Sequence, residues 1–243
     1  MGRIIDHFLF FSNNITGESI ELDEEEIRHA FSVLRLEKGD TIFITNGTGR
    51  IYACIIERID KKACFTRILK KKVQEPPKPA MHFFIGLTEK DSFEAAIMGL
   101  VPLGVMHITP LECEYGQKKW WVKKWEKHAE RFRNKMIAAA KQSWNAWLPN
   151  LNEPVEFKKA LSMARGLVFV ADENGEALDI SSEKFSIQDS ISCFIGPPEG
   201  FSPEELDELR KYGSKAVKLS DKRLRTELAA TILAGNIVQK FIN

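Results

Sequence analysis

Downstream of residue 82 the sequence alternates short apolar runs of strand length with longer segments of helical period. Parallel strands cannot be joined by a tight turn, and a helix is the usual crossover between them. The alternation therefore predicts an α/β domain built on a mostly parallel sheet. The strand-like runs are His82–Leu87, Val105–Thr109, Gly166–Ala171, Ile191–Gly196 and Ala216–Leu219. The segments of helical period are Ser92–Leu103, Lys118–Trp147, Pro203–Tyr212 and Thr226–Ile242.

The N-terminal part of the chain follows a different pattern. Pro76, Pro77 and Pro79 would interrupt a helix or a central strand, so residues 74–81 are predicted to be a linker between two domains. Upstream, strand-like runs and a glycine-containing turn predict a small β-rich domain over residues 1–73, either a barrel or a sandwich. The runs are Thr41–Thr45, Arg50–Glu57 and Lys62–Leu69, and the turn is Asn46–Gly49.

Composition narrows the class of protein. A chain of 243 residues with 44% hydrophobic content can bury a core without covalent support. No apolar run reaches the roughly 18 residues that span a membrane, so we expect a cytoplasmic protein without a membrane partner. The cysteines are scattered, with no C-x-x-C pair and no nearby histidine cluster, which predicts buried thiols and no metal site. They are Cys54, Cys64, Cys113 and Cys193.

The net charge of +1 argues against a basic surface over the whole chain, so a nucleic-acid site has to be local. The best candidate is the segment 117–135, where basic residues outnumber two glutamates and tryptophans are interleaved. Cations beside aromatic rings suit phosphate contact and base stacking in single-stranded RNA. A solvated amphipathic helix whose tryptophans dock on the core explains the same pattern, and both interpretations can hold for one helix. The lysines that we assign to RNA are Lys118, Lys119, Lys123 and Lys124.

Two loop-to-helix transitions are the best candidates for a ligand site. Residues 195–202 read Ile-Gly-Pro-Pro-Glu-Gly-Phe-Ser and residues 219–229 read Leu-Ser-Asp-Lys-Arg-Leu-Arg-Thr-Glu-Leu-Ala. Each follows a strand-like run, at the edge of a parallel sheet where ligands bind. Gly196 and Gly200 let the backbone approach a ligand closely, although a turn capped by Ser202 and Glu205 would also explain the first loop. No G-x-G-x-x-G or P-loop motif is present, so these two nucleotide-binding sites are not supported.

These loops, together with two other segments, resemble the ribosomal RNA small subunit methyltransferase E family of the SPOUT superfamily. In that family the first loop reads Ile-Gly-Pro-Glu-Gly-Gly-Phe-Ser and the second Leu-Gly-x-x-Ile-Leu-Arg-Thr-Glu-Thr-Ala. The two other segments are His29-x-x-x-Val-Leu-Arg-Leu-x-x-Gly-Asp40 and Ala139-Ala-Lys-Gln-Ser143, the latter followed by Leu148-Pro149. The resemblance therefore extends over nearly the whole chain.

The resemblance implies a PUA-like RNA-binding barrel over residues 1–73 and a methyltransferase domain with a C-terminal trefoil knot over residues 82–243. It implies S-adenosylmethionine as cofactor, N3 of a uridine in small-subunit (16S) ribosomal RNA as target, and a homodimer that acts on rRNA or the small ribosomal subunit. The cofactor-binding residues it implies are Ile195, Gly196, Pro197, Glu199, Gly200, Leu219, Ser220, Leu224 and Thr226. Arg35 and Gln142 join the four lysines as expected RNA contacts.

Arg225 and Glu227 are the candidate catalytic residues. Uridine N3 carries a proton and is a poor nucleophile until that proton leaves, so negative charge develops on the uracil oxygens. A fixed cation such as Arg225 would stabilise this charge, although the same side chain could grip a phosphate or pair with Glu227. Glu227 could accept the N3 proton, or it could serve only as a partner of the helix dipole.

The chain departs from the family pattern at several polar positions. Pro198 stands where the family has Glu, Glu199 and Ser220 where it has Gly, and Leu228 where it has Thr. Two functions are therefore compatible with the sequence: an active rRNA uridine methyltransferase, and an RNA-binding relative that transfers methyl groups poorly or acts on another RNA. Further departures are at Gly99, Pro102, Tyr115 and Asn145.

Overall fold

The computed structural model describes residues 2–116, 123–177, 186 and 190–241. The chain divides into two compact units. The N-terminal unit comprises residues 1–76 together with 137–148, and the second unit comprises residues 77–136 and 149–243. Lys118 and Lys119 lie outside the described residues.

The N-terminal unit is built on a six-stranded sheet of order β1-β4-β5-β6-β3-β2. The predicted strands and the turn between them are confirmed, since β4 pairs antiparallel with β5 and β5 with β6. Apolar side chains from these strands form the core, with Phe10, Ile20, Ile42 and Ile44 fully buried. The strands are β1 (Ile4–Phe11), β2 (Asn14–Thr16), β3 (Ser19–Glu21), β4 (Thr41–Thr45), β5 (Arg50–Ile59) and β6 (Cys64–Val73).

A short helical segment joins β3 to β4. Helix α1 (Glu24–Arg28) begins at Asp23, whose side chain accepts the Glu26 amide. It continues as a π-helix over His29–Val33. The segment ends at Arg35, which has a left-handed backbone with φ of 50°.

Residues 137–148 pack with the N-terminal unit, whereas the sequence predicted one contiguous domain over residues 82–243. Long-range contacts explain this difference. The Trp147 indole donates to the carbonyl oxygens of Gln74 and Glu75, and its ring lies against Gly49. Gln74 and Glu75 were predicted as linker, yet their backbones are bound in this way.

The second unit is an α/β structure with a seven-stranded, wholly parallel sheet, which confirms the predicted fold class. The main strand order is β10-β8-β7-β12-β11-β13, and β9 pairs with β8. The strands are β7 (Ala80–Gly86), β8 (His107–Glu112), β9 (Asn150–Leu151), β10 (Val155–Glu156), β11 (Leu167–Ala177), β12 (Ser190–Ile195) and β13 (Lys215–Lys218). The helices of this unit are α2 (Lys90–Leu100), α4 (Phe157–Met163), α5 (Pro203–Tyr212) and α6 (Thr226–Gln239). Helix α3 (Trp125–Ser143) has residues in both units, with 125–136 in the second unit and 137–143 in the N-terminal unit.

The sheet brings the predicted loops to one edge. Helix α6 packs against α2 and against the central strands β7 and β12. Because β11, β12 and β13 are neighbours and run parallel, the segments at their carboxyl ends meet at the same edge. Helix α3 ends at Ser143, earlier than predicted, because Trp144 adopts a left-handed backbone with φ of 55°.

All four cysteines are free and buried, as predicted. Within the described ranges, no helix is long and apolar enough to cross a membrane. The same part of the chain contains no group of three or more His, Cys, Asp or Glu residues that could hold a metal ion.

Candidate active site

A cavity of about 370 Å³ lies at the carboxyl ends of β11, β12 and β13. Most of its lining comes from three segments: residues 171–174, residues 195–201, and a set of residues between Val217 and Thr226. Every residue that the sequence predicted to bind the cofactor lies in this lining. These residues are Ile195, Gly196, Pro197, Glu199, Gly200, Leu219, Ser220, Leu224 and Thr226.

The first loop, residues 196–202, is a tight turn that leads into α5. The Gly200 amide donates to the Pro197 carbonyl at 2.8 Å, and Gly200 has φ of 84°, a conformation that favours glycine. The turn ends in a capping box: the Ser202 amide donates to Glu205 at 2.9 Å, and the Glu205 amide donates to Ser202 at 3.3 Å. The cap therefore fixes the end of the loop and leaves residues 196–201 facing the cavity.

The second loop, residues 219–225, is fixed at both ends. Lys218 pairs with Asp221 at 2.9 Å, and the Ser220 hydroxyl accepts the Lys222 amide at 3.0 Å. At the other end, the buried Thr226 hydroxyl donates to the Gly196 carbonyl at 3.0 Å. This last bond ties the start of α6 to the first loop.

The third lining segment, Ala171–Asn174, was not predicted from the sequence. The pairing of β11 with β13 is interrupted between Ala171 and Glu176, and the residues released from the ladder face the cavity. There the Asp172 carboxylate accepts the Asn174 amide at 2.9 Å. Their position directly after the predicted strand Gly166–Ala171 was the one sequence feature that could have indicated a role at the ligand edge of the sheet. The other lining residues that were not predicted individually as cofactor contacts are Pro198, Phe201, Leu206, Val217, Lys222, Arg223 and Ala229.

The candidate catalytic residues lie beside the cavity rather than in its lining. Arg225 is exposed and is the residue directly before α6; its carbonyl accepts the amides of Leu228 and Ala229. Glu227 is half-buried in the first turn of α6. Among the described residues these two side chains form no ion pair with each other. Arg225 is therefore accessible to a substrate that approaches next to Leu224 and Thr226.

The two motifs outside these loops come together in the N-terminal unit. Lys141, from the Ala139–Ser143 segment, donates to the buried carboxylate of Glu26, three residues before His29. Burial raises the pKa of Glu26, and the charge of Lys141 opposes this shift. Partial burial and the same lysine lower the pKa of His29. The pair thus fixes the last part of α3 to α1.

The predicted RNA contacts are distributed over both units. Arg35 and Gln142 are exposed in the N-terminal unit, and Lys123 and Lys124 are exposed just before α3 in the second unit. Trp125 is half-buried, and its ring packs against Phe132 with centroids 6.1 Å apart. Trp125 therefore packs on the core, as expected if this segment is an amphipathic helix whose tryptophans dock on the core.

Comparison with known proteins identifies the family. A model of the RNA methyltransferase domain matches residues 74–238, and a model of the RNA methyltransferase PUA domain matches residues 22–69. The chain belongs to the RNA methyltransferase domain family. The cavity therefore lies within the part of the chain that matches this family, and an active site for RNA methylation is expected in this region.

Relatives of this RNA methyltransferase carry the family name that the motifs indicated. Ribosomal RNA small subunit methyltransferase E of Mycobacterium bovis is 25% identical over 94% of this chain and 90% of that protein. The protein of the same name from Aquifex aeolicus is 26% identical over 93% of this chain and 97% of its own length. The resemblance inferred from the sequence is thereby confirmed.

A solved structure agrees with both units of the chain. A protein described as a methyltransferase, from Legionella pneumophila, was solved with the cofactor S-adenosylmethionine. It is 26% identical and has a TM-score of 0.83, with coverage of 98% of this chain and 97% of that one.

Proposed function

We propose that this RNA methyltransferase transfers the methyl group of S-adenosylmethionine to N3 of a uridine in small-subunit (16S) ribosomal RNA. The observation that carries the proposal is the convergence of the two predicted loops on one cavity at the carboxyl edge of a parallel sheet. Its volume of about 370 Å³ falls in the range of small-molecule sites, about 300 to 1,000 Å³. The names of the relatives support ribosomal RNA as the substrate class.

The lining fits this cofactor chemically. Ile195, Leu219 and Leu224 offer apolar surface to an adenine ring, and the glycine-containing loop offers backbone groups for hydrogen bonds. Carboxylates and cations at the lining suit the hydroxyl, amino and carboxylate groups of the donor. When bound, the donor supplies an electrophilic methyl group on a sulfonium. The charged lining residues are Asp172, Glu173, Glu199, Lys222 and Arg223.

The protein has to help N3 lose its proton. We assign Arg225 to the uracil oxygens, where its charge would stabilise the anion that forms as the proton leaves. Glu227, two residues further on, is the candidate acceptor of that proton. The exposure of Arg225 and its position between two lining residues support this assignment.

Titration with S-adenosylmethionine tests the cofactor assignment. We expect isothermal titration to give a saturable heat with one site per chain. The competing function is an RNA-binding relative that no longer transfers methyl groups efficiently, and its pocket would give no saturable heat. A null titration would therefore contradict the proposal.

Arg35 is the best supported of the proposed RNA contacts. It holds a left-handed backbone, which costs a residue other than glycine roughly 1 kcal/mol or more. Its carbonyl accepts a 2.8 Å hydrogen bond from the Arg3 guanidinium, which Asp40 holds at 2.6 Å. Within the described part of the chain, the Arg35 guanidinium makes no hydrogen bond or ion pair of its own. The bond at the Arg35 carbonyl involves only the backbone and would be open to glycine as well. The described contacts therefore give the Arg35 guanidinium no structural role, which favours a ligand such as an RNA phosphate as its partner.

Replacing Arg35 with glycine should separate stability from RNA binding. Because glycine accepts this backbone, the free energy of unfolding should stay the same or rise by up to about 1 kcal/mol. Affinity for small-subunit rRNA should fall about fivefold to tenfold, and the slope of log affinity against log salt should shrink by about 0.7 to 0.9. The exposed Lys61→Ala is a control for loss of one positive charge. An unchanged affinity and slope in Arg35→Gly would exclude the contact.

We also propose that the protein is a homodimer that pairs through α6. Leu233 and Ile237 are buried within the chain, but Leu228 is 48% exposed and Ile232 and Val238 are half-buried. Met98, on the helix α2 that packs against α6, is also exposed, at 44%. Sedimentation equilibrium at micromolar concentration should give twice the mass of the chain. A monomer under these conditions would contradict the proposed dimer.

A further inference from the structure

We infer that Arg223 is a positioning residue that holds the two loops together at the cavity and slows cofactor exchange. The inference deepens the proposed function and rests on it, since the cavity has to take S-adenosylmethionine. Its basis is a hydrogen bond of 2.5 Å from Nη2 of Arg223, in the second loop, to the carbonyl oxygen of Pro198, in the first. Both residues line the cavity.

This bond is a property of this chain rather than of the motif. The family pattern has Ile at the position of Arg223 and Glu at the position of Pro198. Ile has no hydrogen-bond donor in its side chain, so the motif residue could not make this contact. The acceptor is a backbone carbonyl that any residue at position 198 would offer, so the departure that makes this bond possible is Arg223.

The two bonds between the loops differ in their exposure. Thr226 is only 4% exposed, and its bond to the Gly196 carbonyl lies at the start of α6. Pro198 and Arg223 are both exposed, so water competes for their bond. The Thr226 bond therefore acts as a fixed attachment and the Arg223 bond as a closure that can open and re-form.

Electrostatic pairing does not account for the position of Arg223. Glu199 and Glu173 also line the cavity, yet across the residues that the structure describes Arg223 forms no ion pair with a carboxylate. Its partner is a backbone carbonyl on the first loop. Because the planar guanidinium fixes the direction of its donors, Arg223 restrains the turn that Gly200 closes with Pro197.

Three variants test this role. Arg223→Ile restores the motif residue and removes the bond, Arg223→Lys keeps the charge and a donor, and Lys211→Ile makes a matched change at an exposed cation on α5. In the free protein, hydrogen exchange of the Gly200 and Phe201 amides should be faster in Arg223→Ile and unchanged in Lys211→Ile. The dissociation rate of S-adenosylmethionine should rise about threefold to tenfold in Arg223→Ile, as expected for one hydrogen bond, and less in Arg223→Lys.

The results of these measurements distinguish a restraint on the first loop by Arg223 from a general role of Arg223 in stability. Unchanged loop exchange and an unchanged dissociation rate in Arg223→Ile would overturn the inference. A large fall in melting temperature with faster exchange throughout the chain would also overturn it, because Arg223 would then support the whole fold. If the wild-type protein binds no S-adenosylmethionine, the proposed function fails, and the exchange measurement still decides whether Arg223 restrains the loop.

Discussion

Replacing Arg225 with alanine is expected to lower the rate of methyl transfer by about two to three powers of ten, the effect of losing one preorganised donor to a developing anion. Stability should barely change, because the Arg225 carbonyl that accepts the first amides of α6 remains. Arg225→Lys keeps the charge but loses the planar fork, so a similar fall is expected. The measurement is a single-turnover rate at saturating cofactor and RNA, with cofactor affinity and melting temperature as controls.

The competing roles of Arg225 give different results. If the side chain only tied down the second loop, Arg225→Ala would lower melting temperature and cofactor affinity together, and the rate would fall only in proportion. If it only gripped a phosphate, RNA affinity would fall and the rate at saturating RNA would stay near that of the wild type. Either result would exclude catalysis by Arg225.

Replacing Gly86 with alanine is expected to weaken cofactor binding by about tenfold to a hundredfold. Gly86 ends β7 directly beneath the first loop, and a Cβ atom there would lie 2.4 Å from the Pro197 nitrogen and 2.8 Å from the Gly196 carbonyl carbon. Both are backbone atoms, so the loop itself has to move. Forcing a methyl group into a packed site costs about 1 to 3 kcal/mol, and the displaced loop is the one that we assign to the cofactor.

Gly235 provides a control for the methyl group that is added in Gly86→Ala. A Cβ atom on Gly235, within α6, would meet no atom of the described chain within 4 Å, and alanine is the better helix former. Gly235 lies seven residues after Leu228, on the face of α6 that we assign to the dimer, so sedimentation first checks that Gly235→Ala has the mass of the wild type. With that mass unchanged, Gly235→Ala should keep its cofactor affinity and melt at the same or a higher temperature. Wild-type affinity in Gly86→Ala, measured by titration, would show that the first loop does not hold the cofactor.

The parallel sheet and its ligand edge could be predicted because they rest on local signals. Helix α5 was predicted with its observed bounds, since Ser202 and Glu205 cap its start and Gly213 ends it with a left-handed backbone. Strand β12 was predicted to within one residue, because a short apolar run ends at Gly196. The edge position of both loops follows from the parallel direction of the strands.

The features that were missed depend on contacts between distant residues. Nothing local in Asn145–Leu148 indicates that these residues pack with the N-terminal unit, where Trp147 binds the backbone of Gln74. The release of Asp172–Gly175 from the ladder depends on the register of β11 against β13, which the sequence of β11 alone does not fix. Lys222 and Arg223 were not predicted to bind the cofactor because the family motif assigns no ligand role to their positions. The knot remains a prediction from the resemblance, and the dimer remains a prediction from the resemblance together with the apolar face of the last helix.

The identity of the methylated nucleoside decides whether this protein acts on N3 of uridine. Small-subunit rRNA, free or in assembled subunits, is prepared from a strain that lacks this protein and incubated with the purified enzyme and S-adenosylmethionine that carries an isotopically labelled methyl group. The RNA is then digested and its nucleosides are analysed by mass spectrometry. We expect the label in N3-methyluridine, and its near absence with Arg225→Ala. Label in a different nucleoside, or no label with either form of the substrate, would contradict this expectation.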